Sequence, residues 1–153
     1  MIIDALSKND IEEISQIEKE IFKEPWPKSF FEEEMANDFA HYYVLKENDE
    51  IIGYAGMWQL FENCDLNTIG IKKEYQGRKY GEKLLRFMIK EAIKKECEFM
   101  HLEVRISNLK AQSLYHKLGF IETRIRKGYY EDCEDCIDMV KGLLGLSEED
   151  FSD

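Results

Sequence analysis

The chain has 153 residues, 44% of them hydrophobic and 35% charged, and carries a formal net charge of −11. That fits one globular domain with a core of its own rather than a disordered segment. The acid excess argues against general affinity for nucleic-acid backbones. It suits a cationic partner, an amine or a basic peptide, drawn in by long-range attraction, although acid also serves simply to keep a protein in solution. No signal-like apolar run opens the sequence and no stretch approaches about 20 apolar residues, so the chain reads as cytoplasmic, with no membrane contact.

Met1 to Leu6 reads as a short strand. Ser7 stands where a helix N-cap belongs, with Asp10 in the first turn. Ile11, Ile14, Ile17, Ile21 and Phe22 then draw the buried face of the first helix. Pro25-Trp26-Pro27 breaks it, and a second, short helix carries Phe30, Phe31 and Met35. Tyr42 to Leu45 is a strand, and Glu47-Asn48-Asp49-Glu50 is its polar turn into a longer strand, Ile51 to Leu60. Asn63 begins another turn, followed by a strand over Leu66 to Ile71. Leu84, Leu85, Met88, Ile89, Ala92 and Ile93 recur at i, i+1, i+4, i+5, which draws one apolar stripe along a long helix.

Phe99 to Val104 is the next strand, and a helix follows from about Asn108 to Leu118. Gly119 falls just past its last apolar residue, where a left-handed C′ is usual. Phe120 to Ile125 and Cys136 to Val140 complete the strands. The tail over 144–153 is short and acidic and reads as frayed. With no repeat or linker, the organisation is one domain over 1–143, an α+β or mixed-sheet α/β layer fold.

Three places could carry chemistry. The first is Gln76-Gly77-Arg78-Lys79-Tyr80-Gly81, between a strand and a helix. A helix start offers unpaired N–H groups and the positive end of a dipole, and glycines and cations there make a seat for phosphate or pyrophosphate. An ordinary solvated turn fits these six residues as well. The second is the strand His101-Leu102-Glu103-Val104-Arg105, where alternation sets Leu102 and Val104 on one face and Glu103 on the other with His101 and Arg105. Glu103 is then either a general base, directly or through one water, or half of an ion pair on an exposed face. The third is Tyr115, on one helix face with Ala111, Leu114 and Leu118, its hydroxyl needing a partner. It reads as core packing or as a proton donor, and Asn108 as a helix cap or a ligand contact. Cys133 and Cys136 form a C-x-x-C pair with no second pair to complete a zinc site and no strand–helix setting for redox work, so Cys64, Cys97, Cys133 and Cys136 read as free thiols and no metal is expected.

Taken together, the Gln-x-x-x-x-Gly loop, Leu102-Glu103-Val104-Arg105 with Ser107-Asn108, Leu114-Tyr115 with Leu118-Gly119-Phe120, Pro25-Trp26, and Tyr129-Tyr130 followed by Glu134-Asp135 give the chain a family likeness. It resembles the Gcn5-related N-acetyltransferase (GNAT) superfamily, and within it the RimI-type ribosomal-protein-alanine N-acetyltransferases, over about residues 1 to 141. The resemblance implies a central mixed, mostly antiparallel sheet of about seven strands flanked by four helices. It implies acetyl-CoA as co-substrate, its pyrophosphate held after Gln76 by main-chain N–H groups from Gly77 through Arg78, Lys79, Tyr80 and Gly81 to Glu82, with Asn108 a further contact. Ile69, Gly70 and Ile71 would run beside the pantetheine arm at a strand bulge, with a main-chain N–H near Ile71 steadying the oxyanion. Glu103 matches the family's proton acceptor and Tyr115 its proton donor. Trp26, Tyr129 and Tyr130 would wall a slot for an extended N-terminus, while Phe30 reads as packing. Glu62, Asp65 or Asp135 would attract a basic peptide. One departure stands out: the family's first loop glycine is replaced by Lys79.

On this resemblance the acceptor is the N-terminal α-amine of a protein, by analogy the N-terminal alanine of a small-subunit ribosomal protein, acetylated by direct attack without a covalent enzyme intermediate. At pH 7 roughly 10–15% of an α-amine is neutral against about 0.04% of a lysine amine, so deprotonation costs about 1 kcal/mol in one case and about 5 in the other. One carboxylate suffices for the first. A polyamine or aminoglycoside acceptor, or a silent acetyl-CoA-binding module, stays open on the sequence.

Overall fold

Alternating apolar residues give seven strands: β1 (Ile2–Ala5), β2 (Ala40–Glu47), β3 (Glu50–Leu60), β4 (Asn63–Ile71), β5 (Phe99–Arg105), β6 (Ile121–Arg126) and β7 (Cys136–Gly142). Helical periodicity gives α1 (Ile11–Ile21), α2 (Lys28–Met35), α3 (Tyr80–Lys94) and α4 (Leu109–Lys117). The computed structural model describes residues 1–152 and joins the strands in one sheet of order β1-β2-β3-β4-β5-β7-β6. Every pairing is antiparallel except β4 with β5. The expected mixed, mostly antiparallel sheet with four helices is the observed one.

The sheet has a core on each face. Leu84, Leu85, Met88, Ile89 and Ala92 of α3 are fully buried and join Leu45, Ile52, Met57, Leu102 and Val104 on one side, with Tyr115 and Leu118. Burial of each large apolar side chain there contributes about 1.5–3 kcal/mol. On the other side Ile11, Ile14 and Ile17 of α1 and Phe31 of α2 cover Tyr42, Val44 and Tyr54. β3 lies between the two, which is why Ile51 to Met57 is buried without a break and reads as a continuous apolar run rather than an alternation.

Two irregularities shape the middle of the sheet. Gly56 of β3 faces Thr68 of β4 and Met57 faces Leu66, so Asn67 is an extra residue with no counterpart. An extra residue reverses which face the following side chains reach. Cys64 and Leu66 before it, and Ile69 and Ile71 after it, therefore share the α3 side, while Gly70 lies against Ile21 of α1 and Tyr54. Gly56 is needed opposite the bulge: a Cβ there would stand 2.2 Å from the Tyr42 ring. Beyond the bulge, β4 and β5 part. They pair only at Asn63–Phe99, Cys64–Met100 and Asp65–His101, whereas β5 stays paired with β7 along its whole length. The result is a fork.

Gly119 takes φ +95° after α4, the left-handed C′ expected of it. Two local expectations change. Asn63 already belongs to β4, because the chain reverses through Phe61, at φ +55°, and Glu62. The acidic tail does not fray through Ser152: Ser147 and Asp150 form a capping box around a 3-10 turn over Glu148–Phe151, and Phe151 is buried against the α3 core. One aromatic anchor outweighs the acidity of the segment.

Candidate active site

A cleft of about 910 Å³ occupies the fork, large enough to bury most of an extended ligand. β4 from Leu66 to Ile71 forms one wall and β5 from Leu102 to Arg105 the other. Lys72 N–H donates to Ile52 C=O at 2.8 Å while Ile71 faces Gly53. Ile71, and Ile69 opposite Ala55, are therefore in the non-hydrogen-bonded positions of the β3–β4 ladder, and their own N–H and C=O groups point away from β3 into the fork. Gln76 reaches back and donates from Nε2 to the Ile71 carbonyl at 2.9 Å, which ties the following loop to the end of β4.

That loop leads into α3 at one end of the cleft. Gly77 sits at φ +80° and Lys79, the residue before α3, at φ 68°, ψ 11°, both left-handed. No side chain caps α3. The first bond within the helix runs from Lys83 N–H to Lys79 C=O at 3.1 Å, so the N–H groups of Tyr80, Gly81 and Glu82 precede the helical ladder. Gln76, Gly77, Lys79, Gly81, Glu82 and Asn108 line the cleft. Arg78 and Tyr80 do not: the Arg78 guanidinium lies 5.4 Å over the Tyr75 ring, and the Tyr80 hydroxyl donates to Glu47 at 2.7 Å. Any role of these two at the cleft is confined to their main chain. The Glu82 carboxylate is neutralised by Lys117 at 2.7 Å and Arg86 at 3.1 Å, which removes a like charge from an anion-sized corner and holds the carboxyl below its usual range. Asn108 spends its side-chain oxygen capping α4, accepting from Ala111 N–H at 3.2 Å.

Midway along, Glu103 projects into the cleft between buried Leu102 and Val104. It neighbours Tyr129, whose hydroxyl is held above its ordinary range first by the nearby Glu103 carboxylate and then by burial. Tyr115 comes from α4 and is 6% exposed. Burial pushes its phenol from 10.0 up to about 12, so it stays protonated across neutral pH. A carboxylate and a neutral phenol thus open onto one cleft, a pair whose chemistry can accept and donate a proton.

The far end is aromatic and acidic. Trp26, stacked on Phe30 at 4.2 Å, lines the cleft with Tyr129 and Tyr130, and Phe30 stays behind it as packing. Glu18 of α1, buried among the isoleucines, accepts from the Tyr54 hydroxyl and from Trp26 N–H at 3.0 Å, and so fixes where the segment after α1 begins. Glu24 and Glu131 complete the acidic lining. Glu62, Asp65 and Asp135 are absent from it. Glu62 and Asp65 lie at the closed base of the fork, and Asp135 is engaged with Gly128 N–H and Lys127. Glu18 had a readable signal, a carboxylate on the apolar face of α1 between Ile17 and Ile21; Asn67 and Arg105 had none. All four cysteines are free, and no cluster of three or more His, Cys, Asp or Glu that could hold a metal occurs among the described residues. No helix there is long and apolar enough to cross a membrane.

A bulged, forked sheet whose open edge ends at an uncapped helix start, with a carboxylate and a phenol on its walls, defines an acyl-group transferase built around an extended donor. The match of the acetyltransferase (GNAT) family to residues 11–120 makes this specific: the chain belongs to that family and is an N-acetyltransferase. It is 30% identical over 145 residues, 95% of its length and 97% of its relative's, to the [ribosomal protein bS18]-alanine N-acetyltransferase of Escherichia coli (strain K12). It is 34% identical over 135 residues, 84% of the chain and 83% of the relative, to the N-alpha-acetyltransferase RimI of Mycobacterium tuberculosis. The crystal structure of the ribosomal-protein-S18-alanine N-acetyltransferase from Escherichia coli matches with a TM-score of 0.87 at 30% identity, over 92% of each chain.

Proposed function

We propose that the protein transfers acetyl from acetyl-CoA to the N-terminal α-amine of a protein, the N-terminal alanine of ribosomal protein bS18. The observation that carries this reading is the exposed main-chain edge of Ile69 and Ile71, running through the fork to the free N–H groups at the start of α3. Such an edge suits a donor with its own amides and a diphosphate at one end. Acetyl-CoA supplies the acetyl group in activated, thioester form. Main-chain N–H groups from Gly77 to Glu82, with the Lys79 ammonium, hold the diphosphate, and Ile69 to Ile71 align the arm. The Ile71 N–H faces the oxygen on which charge develops.

Glu103 takes the proton from the acceptor amine, directly or through one water, and Tyr115 is the proton source on the leaving-group side. Trp26, Tyr129 and Tyr130 flank the incoming N-terminus, and Glu18, Glu24 and Glu131 favour a basic one. The modest cost of about 1 kcal/mol for freeing an α-amine of its proton matches a site with one carboxylate available for that work. The names of the relatives support the ribosomal acceptor.

The test pairs acetyl-CoA with a synthetic peptide beginning at the bS18 alanine or with spermidine, read by mass spectrometry. The peptide is expected to be acetylated at its α-amine. Glu103→Gln is expected to lower turnover about 10-fold or more with the affinity for acetyl-CoA nearly unchanged, since it removes the base alone. Turnover of spermidine but not peptide would reject the acceptor, and equal rates for mutant and wild type at pH 8 would reject Glu103.

A further inference from the structure

Arg105 takes no part in the chemistry above, yet three carboxylates converge on it. Its Nη1 lies 2.9 Å from Asp132 and 2.8 Å from Glu134, its Nη2 lies 3.3 Å from Glu24, and its guanidinium carbon sits 4.1 Å over the Tyr130 ring. Glu24 belongs to the segment between α1 and α2, while the other three belong to the loop between β6 and β7. The two segments also meet where Asp132 N–H donates to Glu24 at 3.1 Å. Glu134 uses its second oxygen on Ser107 N–H at 2.8 Å, so the loop is fastened to the end of β5 as well.

Arg105 follows Glu103 by two residues and projects from the same face of β5, a strand paired along its whole length with β7. Its side chain is only 17% exposed. A lone surface ion pair contributes about 0–1 kcal/mol, but this is one planar fork shared by three carboxylates and stacked on a ring. Each further bond orders a group whose partner is already fixed. A lysine, a point charge on a flexible stem, cannot reproduce it.

We propose that Arg105 is a positioning residue that fastens residues 22–27 to the loop over 129–135 and so holds the aromatic wall of Trp26, Tyr129 and Tyr130 at a set distance from Glu103. This rests on the reading that the aromatic end of the cleft takes the acceptor. The start of α3 lies at the other end of the cleft, so the clamp governs acceptor affinity and leaves donor affinity alone.

The experiment compares wild type, Arg105→Met, Arg105→Lys and Glu24→Gln by hydrogen exchange, by peptide KM and kcat, and by calorimetric titration with CoA. Arg105→Met is expected to speed exchange in both 22–27 and 129–135 and to raise peptide KM about 10-fold, with kcat within about 3-fold and the Kd for CoA within about 2-fold. Arg105→Lys should recover less than half of the KM loss. Glu24→Gln should loosen 22–27 alone, with a KM rise of about 3-fold. Unchanged exchange in both segments overturns the clamp, as does a loss of CoA affinity parallel to the loss of peptide affinity. If Arg105→Met does not fold, Glu24→Gln decides on the same readouts. A wild-type enzyme inactive on the peptide would defeat the acceptor assignment, while the exchange data would still judge the clamp.

Discussion

Lys79 stands where the resemblance implies a glycine, and it does so at φ 68°, ψ 11°. A side chain in that left-handed conformation costs about 1–2 kcal/mol relative to one in the right-handed region. Glycine escapes the cost but surrenders about 0.4–1 kcal/mol through the greater freedom of its unfolded chain. Lys79 is exposed, supplies no cap to α3 and makes no ion pair among the described residues, so nothing in the fold offsets its strain. Lys79→Gly should therefore stabilise the protein by about 0.5–1 kcal/mol, a rise in Tm of about 1–4 °C for a chain of this size. Affinity should move the other way. An exposed ammonium beside a diphosphate contributes about 0.5–1 kcal/mol, so Lys79→Gly should weaken CoA two- to five-fold. Lys79→Ala separates the two effects, because it removes the charge but keeps the Cβ: CoA should weaken equally with no rise in Tm. Scanning calorimetry without ligand and isothermal titration with CoA read both quantities. Equal melting temperatures for the glycine and alanine variants would refute the strain argument, and unchanged CoA affinity in both would remove Lys79 from the phosphate site.

Gly81→Ala should bind CoA within about 3-fold of wild type, because the added Cβ meets Ile71 and Leu114 only at ordinary contact distance, whereas Gly81→Val must push its methyls into the cleft or into those side chains and should weaken binding at least 10-fold by titration; equal affinities for the two would discard the steric account. Tyr115→Phe should lower kcat about 100-fold. Because burial raises the Tyr115 pKa from 10.0 to about 12, its neutral form favours the folded state: that contribution is fully present below pH 10 and is lost as pH rises from 10 to 12. Denaturant titrations at pH 9 and pH 11 should show a smaller alkaline loss in Tyr115→Phe than in wild type, and identical losses would contradict the burial argument.

What the sequence disclosed was whatever depends on near neighbours along the chain. The stripe on α3, the alternation that sets Glu103 and Arg105 against Leu102 and Val104, and the glycine after α4 each follow from a period or a single residue's conformational preference. What it concealed depends on partners distant in sequence. Asn67 reads as one more polar residue in an alternating strand, and its surplus appears only when Gly56 and Met57 are laid beside Thr68 and Leu66. Arg105 looks like one cation among many until segments about 80 and 27 positions away fold onto it. The acids of the cleft differ from the expected ones for the same reason: Glu62 and Asp65 are near the start of β4, at the closed base of the fork, while Glu18 comes from α1 and Glu24 from the segment after it.

Asn67 deserves its position at the parting of the strands for an energetic reason. A parallel pair continued beyond Asp65 and His101 would satisfy the edges of β4 and β5 with each other and leave nothing for a ligand. The extra residue re-aims the strand at the local cost of one unpaired position in the β3–β4 ladder, and Asn67 itself lines the cleft. In return, the ladder groups of Ile69 and Ile71 open into a cleft whose walls are held by the packing of α3 on one side and the β5–β7 ladder on the other. An open edge of this kind would invite another chain to pair with it, but here it faces the cleft between β4 and β5, where the proposed donor would run. The unpaired strand edge and the seat proposed for an extended, amide-bearing donor are therefore one feature of the fold, set by a single extra residue.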